Sequence, residues 1–190
     1  MIRVLVVDDH AAVRAGLQTV LRFEHGLIAV GAATGERDLI PLLERTRPNV
    51  VVLDYNLPGR DGIELCRCIK AGVDGPAVLM YTAYDSSELA LPATLAGADG
   101  VLEKSASAEE LFEAIRAVAR GERALPAISN DVLAKANRRI DQRDHRLVTM
   151  LLERIPETEI ADALSIGRDE LEPRIAALLS QLRVETAASR

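Results

Sequence analysis

Asn49-Val50-Val51-Val52-Leu53-Asp54 and Ile2-Arg3-Val4-Leu5-Val6-Val7-Asp8-Asp9 share one plan: a run of mostly apolar residues that stops abruptly on acid. A run of this length, ended by acids or Gly/Pro, has the pattern of a parallel strand buried on both faces, and such sheets bind ligands beyond their carboxyl ends. Two strands therefore deliver Asp8, Asp9 and Asp54 to one edge, and the chain carries an acidic pocket there.

Working outward, apolar runs recur at 28–33, 76–81 and 99–102, separated by helix-period segments such as Val13, Leu17, Val20 and Leu21 or Leu111, Ile115 and Val118. Strand and helix alternate five times over residues 1–120, which predicts an α/β domain with a doubly wound five-stranded parallel sheet. Leu57-Pro58-Gly59-Arg60-Asp61-Gly62 marks a tight loop directly after Asp54. Beyond Gly121 the pattern turns polar, with Pro126, Asn130 and a small basic cluster at Lys135, Arg138 and Arg139, and 121–140 is expected to be a linker with some helix. From Arg143 onward three short amphipathic helices are expected, through Leu147, Met150 and Leu151, then Ile160 and Leu164, then Leu171, Ile175, Leu178, Leu179 and Leu182, so residues 141–190 form a small all-α domain.

A chain of 190 residues with 48% hydrophobic content accommodates one full domain and a small appendage. No stretch approaches the about 20 apolar residues of a membrane span, and Met1 leads straight into a strand rather than a signal peptide, so a cytoplasmic location is expected. Cys66 and Cys68, the two cysteines, stand two apart in a helix-period segment and point to different faces, which leaves them as reduced thiols. The net charge of −6 opposes a strongly cationic grip on nucleic acid by the whole chain.

Three clustered oxygen donors without His or Cys suit a hard divalent ion, Mg2+, which keeps waters and uses few carboxylates. The fourth strand ends in Leu79-Met80-Tyr81-Thr82 and offers a hydroxyl; the fifth runs Gly100-Val101-Leu102-Glu103-Lys104 and offers an ammonium. A carboxylate nucleophile, a metal, a hydroxyl and a lysine make up a phosphoryl-transfer constellation with Asp54 as nucleophile. A single aspartate after a strand is as often a cap or turn residue; the five-part set at successive strand ends is what separates the two readings. His10 reads as a surface residue opening the first helix, and Tyr84 as a residue that caps the pocket or lies on its rim.

On these residues, 1–120 resembles the flavodoxin-like receiver domain of two-component response regulators. The resemblance implies that a sensor histidine kinase phosphorylates Asp54, and that Asp9 and Asp54 ligate Mg2+ with help from Asp8 and the backbone carbonyl of Asn56. It also implies that Thr82 and Lys104 contact the phosphoryl group, and that the protein is a phosphoryl acceptor with at most self-dephosphorylation rather than an enzyme. Receivers of this kind usually carry an aromatic switch residue three before the lysine; here that position is Val101, so coupling is expected to rely on Thr82. Tyr84, two residues after Thr82, is placed to screen an acyl phosphate from water.

The later segments Ile140-Asp141-Gln142-Arg143-Asp144, Ile155-Pro156-Glu157-Thr158-Glu159-Ile160-Ala161 and Leu164-Ser165-Ile166 resemble the LuxR/NarL-type helix-turn-helix. That resemblance implies DNA binding through residues 168–176, a helix starting near Asp169, and transcriptional control by a phosphorylation-dependent homodimer. The local chemistry opposes it. Segment 143–184 has six arginines against eight acids, and Glu170-Leu171-Glu172-Pro173-Arg174 stands where the family usually has Thr-Val-Lys-x-His. Arg168 and Arg174 remain as candidate DNA contacts, and Pro173 requires the helix to start near Asp169 or Glu170, or to bend. The rival reading is a phosphorylation-controlled protein-interaction regulator whose helix-turn-helix no longer binds DNA. A Mg2+-dependent phosphatase is disfavoured because Asn56, two after Asp54, cannot serve as a general acid.

Overall fold

The computed structural model describes residues 1–71 and 75–184. Five strands, β1 (Ile2–Val7), β2 (Leu27–Ala33), β3 (Val50–Asp54), β4 (Ala77–Thr82) and β5 (Gly100–Glu103), form one parallel sheet in the order β2-β1-β3-β4-β5. The helices between and after them are α1 (Ala11–Phe23), α2 (Glu36–Thr46), α3 (Gly62–Lys70), α4 (Ser86–Leu95) and α5 (Ala108–Ala119). The expected α/β architecture is what the chain adopts. The strands β3 and β4 run one residue further than the apolar pattern alone indicates, because Asp54 still pairs with Tyr81 and Thr82 with Glu103. Both functional candidates therefore sit on the rigid ladder rather than in loops.

Strand alternation sorts the core into two layers. Val4, Val6, Val50, Val52, Leu79 and Tyr81 face α1 and α5, meeting Leu17, Leu21, Leu111 and Ile115. Leu5, Val7, Val51, Leu53, Val78 and Met80 face the other way, toward Leu39, Ile63, Leu65 and Leu89 of α2, α3 and α4. At the sheet edge beside β5, Val101 N–H donates to the Ala124 carbonyl and Ala124 N–H to that of Asp99, so the first residues after α5 are drawn onto the sheet.

Then come α6 (Asn130–Arg139), a 3-10 turn (Gln142–Asp144), α7 (His145–Leu152), α8 (Glu157–Leu164) and α9 (Arg168–Gln181). Ser165 takes a left-handed conformation (φ 55°) that ends α8, and Gly167 caps α9, giving the short turn between the last two helices. α9 starts at Arg168, next to the expected Asp169, and continues through Pro173. The proline costs the Asp169 carbonyl its helical donor, on a turn that faces solvent. Residues 185–190, the end of the expected 141–190 segment, lie outside the described residues.

The helical segment does not stand apart from the sheet domain. Ala136, Ile140, Leu147, Met150, Leu151, Ile160, Leu171, Ile175 and Leu178 belong to the same continuous buried cluster as Leu89, Leu91 and Leu95 of α4. Ion pairs of alternating sense frame that contact. Arg67 of α3 meets Glu157 and Glu172, each at 2.6 Å; Arg154 meets Asp99 at 3.1 Å; Arg183 meets Asp61 at 2.8 Å and also Glu64.

Candidate functional site

The order β2-β1-β3 places the turn of direction in the sheet between β1 and β3, and the crevice at their carboxyl ends is where doubly wound sheets bind ligands. Asp8 follows β1, Asp54 ends β3, Thr82 ends β4 and Lys104 follows β5. All of these except Lys104 are buried, Thr82 completely. Gly62, at the start of α3, makes close packing possible here: a Cβ on it would lie 2.2 Å from the Asp54 carbonyl oxygen, while its own N–H donates to the Tyr55 carbonyl at 2.8 Å.

Lys104 organises the pocket. Its Nζ donates to Asp8 Oδ2 at 2.6 Å and lies 2.9 Å from Asp54 Oδ2. The second contact is an ion pair without hydrogen-bond alignment, so Asp54 Oδ2 is a buried oxygen that lacks a directed donor. Burial pushes the Asp54 carboxyl above the ordinary aspartate range; the Lys104 ammonium opposes this and the Asp8 charge adds to it. Burial also pulls Lys104 down, but its contacts with the Asp8 and Asp54 carboxylates outweigh it and leave the lysine raised and firmly cationic.

Asp8, Asp9, His10 and Asp54 each present a ligand atom within 4.8 Å of all the others, a group able to hold a metal ion. The donor set is dominated by carboxylate oxygen, which fits a hard divalent cation. His10 is the member that adjacency in Asp8-Asp9-His10 could have flagged. Although its side chain is 65% exposed at the start of α1, Nδ1 lies 2.7 Å from Asp9 Oδ1 and 3.4 Å from Asp8 Oδ1.

Asn56 is on the exposed loop after β3, and its side-chain amide donates to the Tyr84 hydroxyl at 2.9 Å. Tyr84 is half-buried on the rim; its N–H donates to Thr82 Oγ1 at 3.0 Å. The Thr82 hydroxyl gives its own proton to no acceptor among the described residues. Val101 is a buried aliphatic residue on β5, paired with Met80. Cys66 is buried in α3, its thiol pushed up to about 12 by desolvation, and Cys68 is exposed; both are free.

The candidate DNA residues stand apart from this pocket. Arg168 is exposed at the start of α9. Arg174, the other candidate DNA contact, donates to Asp144 Oδ1 at 2.6 Å and to the Arg143 carbonyl at 2.7 Å. Glu172, the acid in place of a lysine, is one of the two partners of Arg67.

A family model described as the response regulator receiver domain matches residues 4–116. The chain is 31% identical to the DNA-binding transcriptional activator DevR/DosR of Mycobacterium tuberculosis, over 97% of this chain and 90% of that protein. Among solved structures, it is similar to a two-component response regulator of the LuxR family from Aurantimonas, with 34% identity and a TM-score of 0.62 over 74% of this chain and 99% of that one. It also resembles the response regulator ChrA of a heme-sensing two-component system, with 30% identity and a TM-score of 0.56 over 97% and 92% of the two chains. Among the described residues no helix is long and apolar enough to cross a membrane. With its strand-end acids, threonine and lysine on a β2-β1-β3-β4-β5 sheet, and a helix-turn-helix segment behind it, this chain belongs to the LuxR/NarL-type response regulators.

Proposed function

We propose that the protein is a phosphorylation-controlled transcription regulator: a receiver at 1–120 accepts a phosphoryl group on Asp54 from a sensor histidine kinase, and a 121–140 linker joins it to a DNA-binding output unit at 141–190. The observation that carries this reading is the Lys104 ammonium, within 2.9 Å of both Asp8 and Asp54 in a buried pocket. Asp9 and Asp54 would hold Mg2+, assisted by Asp8 and the Asn56 backbone carbonyl. Bound there, Mg2+ supplies charge neutralisation to the phosphoryl oxygens. An Asp54 oxygen attacks phosphorus as the P–N bond of a phosphohistidine breaks. Lys104 then leaves its carboxylate contacts for a phosphoryl oxygen, and Thr82 donates its unused hydroxyl proton to another. Such a site accepts and returns a phosphoryl group without turning over a second substrate, which is a signalling rather than an enzymatic role.

Similarity to a DNA-binding activator along nearly the whole chain supports the output assignment. Arg168 is available at the start of α9, whereas Arg174 and Glu172 are engaged, so base and phosphate contacts by this face require Arg174 to leave Asp144 and Glu172 to part from Arg67 of α3. A phosphorylation-dependent homodimer matches the pairing of half-sites such helices read. The test is binding of full-length protein to a random-sequence DNA pool across a salt series, with and without beryllofluoride and Mg2+. Saturable, salt-weakened binding that tightens with beryllofluoride is the expected result; no binding by either form overturns the DNA assignment. Loss of the phosphate-affinity gel shift in Asp54→Ala tests the acceptor.

A further inference from the structure

The residue after the acceptor, Tyr55, is hydrogen-bonded to a residue 129 positions further along the chain. Side chains alternate along a strand, so while Asp54 turns into the acidic pocket, Tyr55 turns into the cluster shared with the helical unit. Tyr55 is 3% exposed, and its hydroxyl donates to the carbonyl of Val184, just past the end of α9, at 3.3 Å. That is long for an O–H···O bond, so the contact yields easily. Burial, with the nearby Asp61 charge, pushes the phenol above its ordinary range, and the hydroxyl stays a donor throughout the physiological range. The adjacent Arg183 pairs with Asp61 and Glu64, so 183–184 is held by the acceptor loop and the first turn of α3.

The ring of Tyr84 stands edge-on to that of Tyr55, with centroids 5.6 Å apart and planes at 88°. Tyr84 is in turn tied to both flanks of the acceptor pocket, by its N–H to Thr82 Oγ1 and by its hydroxyl to the Asn56 amide. The position on β5 that could hold a third ring is Val101. We infer that Tyr84 and Tyr55 are positioning residues that read the acceptor pocket and pass its state to the carboxy-terminal end of α9. When Thr82 turns its hydroxyl to a phosphoryl group on Asp54, the Tyr84 N–H loses its acceptor geometry. The edge-on ring shifts, and the Tyr55 bond to Val184 opens. This rests on the acceptor reading above and gives it a route to the output unit.

The test follows full-length protein by amide hydrogen exchange over 178–184, with and without beryllofluoride and Mg2+, alongside phosphate-affinity gels after acetyl phosphate. In wild type, beryllofluoride is expected to speed exchange at 178–184 at least threefold. Tyr55→Phe keeps the ring and removes only the hydroxyl. It is expected to raise basal exchange there at least threefold, to lose the beryllofluoride increment, and to phosphorylate to the wild-type extent. Tyr84→Ala, which leaves the Tyr55 hydroxyl and Val184 in place, is expected to lose the increment as well. A purely structural tyrosine would raise basal exchange and keep the increment, so an increment retained in either variant overturns the relay. Wild type that is phosphorylated but shows no change at 178–184 overturns the relay alone. Wild type that takes no phosphoryl group overturns the acceptor reading and the relay together.

Discussion

Asp54 is a charge held where charge is costly. Its carboxyl is raised by burial, so the ionised form detracts from stability at neutral pH. The cost is full above the raised folded value, where both folded and unfolded states are ionised, and it vanishes below about 4, where both are protonated. Asp54→Asn in Mg2+-free buffer is therefore expected to raise the melting temperature near pH 7 by about 2–4 °C, the equivalent of about 1 kcal/mol for a chain of this size. That gain should shrink as the pH falls toward 4; a thermal-shift series that shows it constant with pH would contradict the assignment. Tyr84 supplies a second prediction at this scale. With its hydroxyl on Asn56 and its ring on the rim, Tyr84→Ala opens the pocket to water, and the phosphorylated lifetime should shorten several-fold on a dephosphorylation time course. The acids, Thr82 and Lys104 were legible from strand-end chemistry. Tyr55 was not, because an aromatic residue after a buried strand has the same sequence signature whether it fills the core or holds a distant carbonyl.

Among the elements, α3 and α9 carry the coupling. Arg67 has a side chain only 12% exposed, lies between Glu157 and Glu172, and keeps a buried Nε without a partner, so its stability contribution comes from the pairs rather than from a saturated network. Partly exposed ion pairs contribute modestly, and Arg67→Ala is expected to cost about 1 kcal/mol in chemical denaturation, with a smaller dependence on salt than wild type. Amide exchange at 168–176 should quicken while β1 and β3 stay protected. Unchanged exchange at 168–176 would mean that packing of Leu171 and Ile175 alone seats α9. The acid at 172 read as an obstacle to DNA binding when only its helix was considered. Its partner is 105 residues away in sequence, and no local pattern carries that distance.

At the level of the whole molecule, one apolar cluster runs from the sheet through α4 into α7, α8 and α9. Units that share a core unfold together, so calorimetry of the resting protein is expected to show a single transition, whereas beryllofluoride with Mg2+ should split or broaden it as the helical unit loosens. Two separate transitions in the resting protein would mean that the contact is too weak to couple the halves. The sequence by itself determined the parallel sheet, the four strand-end groups around Asp54 and the helical character of the last third. These follow from residue period and from acids that end buried runs, both of which are local. Only the tertiary structure decided that Lys104 sits between Asp8 and Asp54, that Arg174 is bound to Asp144, and that the helical unit packs on α3 and α4. Those outcomes depend on which surfaces meet after collapse, and hydrophobic burial, being non-directional, leaves that choice to shape and charge complementarity between segments far apart in the chain.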